Sequence, residues 1–278
     1  MKLPENKLNV KLIALDLDDT LLDNDRKISD KNVQVLQKCA QKGIYVVLCS
    51  GRAEDGILPF VRRLDIAGTK AGRFVIAING CSVFDLHART QIYCKSVDPY
   101  VLKYADKVAM DMGFYSEVYS PDTIFYRKET EWTRLDVDMC GLKGKVEEDY
   151  DSFLESRPFP KMLIPGEPEV LQKIQTKLKE DLGNKAEIFT SKPYFLEILP
   201  PECGKGVAIQ WLAEHIGISK NETMCFGDSM NDENMIRLCK YGVAMCNGLD
   251  YIKDIASFVT PKDNHNSGVG DFIEKYVL

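Results

Sequence analysis

Histidine is scarce in this 278-residue chain: there are three, at positions 87, 215 and 265, too few for a histidine-rich metal centre. Positive charge is short as well. Lys plus Arg number 36 against 42 Asp plus Glu, a formal charge of −6, so nothing in the balance invites nucleic acid or an anionic membrane surface. No stretch approaches the roughly 20 apolar residues of a membrane span, and the opening residues carry no apolar core of a signal peptide. The nine cysteines are odd in number and form no Cys-x-x-Cys. Several sit in apolar runs, which reads as the reduced thiols of a cytoplasmic protein and not as a disulfide framework or a zinc site. An anionic substrate must therefore be drawn by a local site or by a metal ion.

What is present is an ordinary globular composition, 45% apolar and 28% charged, long enough for one large domain or two smaller ones. An apolar run over 10–15, broken only by Lys11, ends abruptly at Asp16 and suggests a strand buried on both faces. Ser29 as a cap, Val33, Leu36 and Ala40 at helical spacing, and Gly43 as a stop predict a helix. A buried strand at 44–49, a helix at 54–64 and a strand at 74–78 continue the rhythm of a doubly wound α/β sheet.

The pattern changes near residue 80, where Asn79-Gly80 before Ser82-Val83-Phe84 reads as a hairpin turn. Beyond it the spacing predicts helix 98–112, strands 114–118 and 123–127, and a less regular middle. A strand near 160–164, helix 168–182 and strands 185–190 and 194–199 follow. Helix then two strands occurs twice, a quasi-repeated αββ unit. After Pro200-Pro201 the first rhythm returns, with helices at 204–216 and 230–239 and strands at 222–226 and 242–245. The expected fold class is α/β: a doubly wound, mainly parallel Rossmann-like sheet at 1–83 and 200–278, interrupted by an α+β domain at 84–199.

In such a sheet ligands bind beyond the carboxyl ends of the strands. Four segments fall at strand ends or a helix start: Asp16-Leu17-Asp18-Asp19-Thr20, Ser50-Gly51-Arg52, Gly204-Lys205-Gly206 and Gly227-Asp228-Ser229-Met230-Asn231-Asp232. Clustered carboxylates repel one another and need a cation, and all-oxygen ligation favours magnesium. A phosphoryl group ties the parts together. Asp is a recognised nucleophile toward phosphorus, a second carboxylate can serve as acid and then base, and a lysine at a helix start suits an anion. A hydroxyl followed by backbone N–H groups suits the equatorial phosphoryl oxygens.

In this order and at these spacings the segments resemble the haloacid dehalogenase-like superfamily of phosphatases, specifically its Cof-type subfamily. The resemblance rests on Leu12-Ile13-Ala14-Leu15-Asp16-Leu17-Asp18-Asp19-Thr20-Leu21-Leu22, Ser50-Gly51-Arg52, Lys205-Gly206 and Gly227 to Asp232. Asn79-Gly80, Val243-Ala244-Met245-x-Asn247 and 263–269 also match, and the likeness runs nearly end to end. It implies that Asp16 is the nucleophile and a magnesium ligand, and that Asp18 is the general acid/base and ligates through its backbone carbonyl. It makes Asp228 the third protein ligand, with Ser229 and Asp232 supporting the metal shell. Leu17, Ser50, Gly51, Lys205 and Asn231 would hold the phosphate. An Asp at position 18 goes with phosphatases and phosphomutases, where the family's ion pumps carry Thr. The departures are Ser50 for a frequent Thr, Gly248 for a frequent Ala, and Cys49 beside the site, which reads as an inert buried thiol.

The resemblance also makes the inserted domain a cap that chooses the substrate, a small phosphorylated metabolite such as a sugar phosphate or a nucleotide-related phosphate. The expected assembly is a monomer or a weak homodimer. A phosphomutase of the phosphomannomutase type is one alternative, and a non-catalytic metabolite sensor is another from a different class. Asn79-Gly80 is read as a hairpin turn or hinge outside the site, and His215 as a core histidine beside Trp211.

Overall fold

The computed structural model describes residues 2–278. Strand β1 (Leu12–Leu15) is followed by α1 (Asp30–Gln41), β2 (Tyr45–Cys49), α2 (Glu54–Leu64), β3 (Phe74–Ala77), β4 (Ser82–Asp85) and β5 (Thr90–Cys94). Next come α3 (Pro99–Asp111), β6 (Glu117–Tyr119), β7 (Thr123–Tyr126), α4 (Glu131–Cys140), β8 (Lys143–Val146) and α5 (Tyr150–Ser156). After these lie β9 (Met162–Pro165), α6 (Pro168–Leu182), β10 (Glu187–Lys192) and β11 (Phe195–Leu199). The chain ends with α7 (Lys205–His215), β12 (Thr223–Gly227), α8 (Glu233–Leu238), β13 (Tyr241–Ala244), α9 (Asp250–Ile255), β14 (Phe258–Val259) and α10 (Gly268–Tyr276). No described helix is long and apolar enough to cross a membrane.

The chain forms two compact units. One holds the residues up to Gly51, Ile57–Tyr93 and Gly204–Leu278; the other holds Arg52–Gly56 and Cys94–Cys203. The first is built on an eight-stranded sheet in the order β14-β13-β12-β1-β2-β3-β4-β5. It is parallel from β14 through β3, and β4 turns back antiparallel on β3. All four residues of β1 are fully buried, as expected of a strand covered on both faces. Residues on alternate positions, Leu12 and Ala14 of β1 with Val47 and Cys49 of β2, join one core cluster with Ala208, Ile209 and Leu212 of α7. The β4–β5 hairpin extends this same sheet, so the core runs to Tyr93 and not to the expected boundary at 83.

The second unit carries a six-stranded sheet, β10-β11-β9-β6-β7-β8. The α3–β6–β7 and α6–β10–β11 segments are the two αββ units, and β6 and β11 both pair with β9. Helices α3, α5 and α6 bury their apolar stripes on one face around Leu102, Tyr150, Ile174 and Leu178. Val137 and Met139 of α4 and the following Leu142 pack on the other, against Tyr119, Ile124, Tyr126, Leu163 and Phe195. The unit's two ends lie side by side: the Lys95 ammonium donates to the Glu202 carbonyl at 2.8 Å.

Under α4 lies a buried polar network. The Tyr119 hydroxyl is 2.5 Å from Asp136 Oδ2 and 3.2 Å from Glu117 Oε1. Lys161 Nζ sits 4.3 Å above the Tyr119 ring and 3.4 Å from Glu197 Oε2. Glu117 is fully buried, and its Oε2 has no hydrogen-bond partner. Burial, with Asp136 adding repulsion, holds the Glu117 carboxyl well above its usual range. The folded state therefore binds this proton more tightly than the unfolded chain, and stability declines as pH rises above about 4.5, the ordinary glutamate value. Glu117→Gln removes that penalty. Its stability gain over wild type should grow at up to about 1.4 kcal/mol per pH unit within the window. Urea unfolding across a pH series checks it, and a gain that does not change with pH would contradict the assignment.

Candidate active site

The site arises where the strand order turns. From β1 the chain adds β2 and β3 on one side, while β12 and β13 fill the other, which leaves a crevice at the carboxyl ends of β1 and β12. Leu15 pairs with Phe226, and the Asp16 N–H donates to the Phe226 carbonyl at 3.1 Å. Register alone therefore brings Asp16 beside Gly227 and Asp228.

After β1 the backbone folds into a tight turn over Leu17–Leu21. Asp18 is extended, Asp19 is left-handed at φ 61°, and the Leu22 N–H returns to the Leu17 carbonyl at 2.9 Å. Asp tolerates the left-handed region better than most residues do. The Asn247 side chain holds the Asp19 carbonyl at 2.8 Å, and the Thr20 hydroxyl donates to Asp228 Oδ1 at 2.8 Å. Leu17 is buried and Asp18, two residues beyond Asp16, is half-buried.

Lys205, the first residue of α7, is fully buried. Its ammonium lies 2.5 Å from Asp16 Oδ1 and 2.6 Å from Asp232 Oδ1. Burial works to discharge it, but Asp16 and Asp232 together outweigh that cost and hold it protonated, well above the usual lysine range. The other Asp232 oxygen accepts from the backbone N–H of Asp228 at 2.9 Å and of Ser229 at 3.2 Å. Asp232 thus fixes the lysine and the turn at once. The turn needs Gly227, because a Cβ there would sit 2.6 Å from the Asp232 carboxyl carbon. The Ser229 hydroxyl is bonded to Asn231 Oδ1 at 2.7 Å. Gly248, where the subfamily often has Ala, leaves no room for a Cβ in this chain: it would meet the Asp228 carbonyl at 2.8 Å.

Asp16, Asp228 and Asp232 each offer a carboxylate oxygen, and the three lie within 4.8 Å of one another. Three carboxylates against one ammonium leave an excess of two negative charges in a buried site. Burial, with the charge of Asp232 adding to it, pushes the Asp228 carboxyl up to about 7. The donor set is all oxygen and the excess charge matches a divalent cation, so these residues fit the metal expected of the family. The Cys49 thiol is fully buried and pushed well above its usual range by that burial, which makes it inert.

Ser50 is buried at the end of β2, its N–H bonded to the Ile76 carbonyl at 3.0 Å. Asn79, expected as a hairpin turn outside the site, contacts two of the residues expected to hold phosphate. Asn79 is 2% exposed, its N–H donates to the Ser50 carbonyl at 3.0 Å, and its Oδ1 accepts from Asn231 Nδ2 at 3.2 Å. Asn234 was also missed; its side chain caps α7 by accepting from the Val207 N–H at 3.1 Å. His215 stacks on Trp211 as expected but is exposed, not core.

A family model described as haloacid dehalogenase-like hydrolase matches residues 13–273. A Bacillus subtilis (strain 168) protein, YxeH, is 31% identical over 277 residues, covering 96% of this chain and 98% of its own. The 5-amino-6-(5-phospho-D-ribitylamino)uracil phosphatase YwtE of the same strain is 29% identical over 289 residues, 96% of this chain and 98% of its own. Among solved structures, a haloacid dehalogenase-like hydrolase from Bacteroides thetaiotaomicron superposes with a TM-score of 0.87 at 28% identity, over 96% of this chain and 99% of its own. With its site at the β1–β12 crevice and a family match across nearly its whole length, this chain belongs to the haloacid dehalogenase-like hydrolases.

Proposed function

We propose that this haloacid dehalogenase-like phosphatase hydrolyses small phosphorylated metabolites, sugar phosphates or nucleotide-related phosphates, through a phospho-aspartate on Asp16 and with magnesium. The observation that carries the reading is the buried meeting of Asp16 and Asp228 on neighbouring strands with Lys205 between Asp16 and Asp232. Asp16, Asp228 and the Asp18 carbonyl, with Ser229 and Asp232 in support, would hold magnesium, which would supply Lewis-acid neutralisation of the phosphate oxygens.

In the first step an Asp16 carboxylate oxygen attacks phosphorus while the bond to the ester oxygen breaks. Asp18 gives its proton to the departing alkoxide. In the second, Asp18 takes a proton from water, which attacks the aspartyl phosphate and releases inorganic phosphate, restoring Asp16. Lys205, Ser50, Asn231 and the backbone of Leu17 and Gly51 hold the phosphoryl oxygens, where charge develops. The second unit selects the leaving alcohol, and the name of the YwtE relative supports nucleotide-related rings among the candidates.

A phosphometabolite panel with and without magnesium tests this. The expected result is phosphate release from at least one member, abolished by a chelator and restored by magnesium. No release from any member would overturn the reading, and interconversion of sugar phosphates without release would replace it by a mutase.

A further inference from the structure

The turn at Ile78–Gly80 belongs to none of the four chemical segments, yet it touches three of them. Asn79 anchors the Ser50 carbonyl through its N–H and Asn231 through its side chain. Its carboxamide also presses on Gly51, where a Cβ would sit 3.0 Å from Oδ1 and 3.2 Å from Nδ2. Gly80 runs against the start of α7: a Cβ there would lie 2.3 Å from the Gly204 carbonyl oxygen and 2.8 Å from the Lys205 nitrogen.

The chain accepts strain to make these contacts. Ile78, Asn79 and Gly80 are consecutively left-handed, at φ 50°, 50° and 91°. For a β-branched residue this region costs about 1–2 kcal/mol. A buried side-chain amide at a hairpin turn is also out of place unless its bonds are used. Strain of this kind persists where the surroundings over-determine it, typically at functional sites.

We propose that Asn79 is a positioning residue for phosphoryl transfer: it locks the Ser50-Gly51 backbone and the Asn231 carboxamide into one phosphate-binding arrangement. The proposal rests on the reading that Ser50, Gly51 and Asn231 hold phosphate. Asn79 acts through them and does not touch the reacting atoms.

Two variants isolate the side chain from the turn. Asn79→Gly keeps the left-handed backbone at no steric cost and deletes the carboxamide. Asn79→Asp keeps size and the acceptor for Asn231 but sets a negative charge against Gly51. With magnesium present, both should lower kcat by about 10- to 100-fold. Both should also weaken inhibition by inorganic phosphate at least tenfold, Asp more than Gly, and the Asp variant, which buries a charge at a residue 2% exposed, should melt below wild type. If Asn79 serves only the hairpin, neither kcat nor the phosphate inhibition constant moves in the Gly variant, and the proposal is overturned. The Gly variant carries the test, because it adds no charge and adopts the φ of 50° freely; the Asp variant reports how far charge at this position reaches the phosphate. A wild type that neither releases phosphate nor is protected against heat by inorganic phosphate sinks the phosphatase reading and this role with it. A wild type that does both, with an unchanged Gly variant, sinks this role alone.

Discussion

Asp16→Asn should abolish phosphate release, by about 10⁴-fold or more, while leaving the unfolding midpoint at or above that of wild type. The two halves of this result come from different physics. Asparagine keeps the shape at the end of β1 but cannot form the acyl phosphate, so turnover stops at the first step. Stability responds to charge. Asp16 is one of three carboxylates around one ammonium, and replacing it with a neutral amide lowers the repulsion while Asp232 still pairs Lys205 at 2.6 Å. Phosphate-release kinetics beside urea unfolding, without metal, measures both. Full activity would sink the covalent route, and a lowered midpoint would show that Asp16 anchors the fold more than it repels its neighbours.

Lys205→Met should have the opposite stability effect. The methionine fills the same volume but leaves Asp16 and Asp232 buried without their cation. Breaking a buried pair from one side costs about 3–5 kcal/mol, a large part of the roughly 5–15 kcal/mol that holds a typical domain together. Because protonation relieves the stranded carboxylates, the deficit should shrink as pH falls toward 5. Denaturant unfolding at pH 5 and pH 8 reads this directly. An equal loss at both would mean that packing, not charge, is what the methionine fails to supply. Activity should vanish along with the stability, since the site loses the buried ammonium proposed to hold the phosphate.

Much of this site was legible in the sequence because parallel strands announce themselves. The run ending at Asp16 and the strand ending at Gly227-Asp228 are fully buried, so their apolar continuity and abrupt acidic ends mark both the sheet and its ligand end. The less regular middle hid α4, β8 and α5 for specific reasons. In α4 the buried positions include Thr133, which closes the N-terminal capping box with Thr130, and Asp136, which serves the polar network; together they erase the apolar stripe that helix recognition needs. β8 is an edge strand with every residue exposed and two of its four residues lysine, the pattern of edge protection and not of alternation. Asn79 escaped because its partners, Gly51 and Asn231, are distant in sequence. No local signal separates a turn that merely reverses the chain from one that also braces a neighbouring loop.

The closeness of Lys95 and Glu202 bears on how the chain reaches its final form. Thr20 and Asp228, which share a hydrogen bond, are 208 positions apart, and β1 must wait for β12 to be synthesised before its second edge is covered. Closing an unstructured loop of that length is entropically dearer than closing a short one, by about 0.6 kcal/mol for each doubling. If the inserted unit folds first, its ends emerge together and the long excursion shrinks to a tight connection. The late strands then return to a nearly adjacent address, and the clustered carboxylates meet as though the insertion were absent.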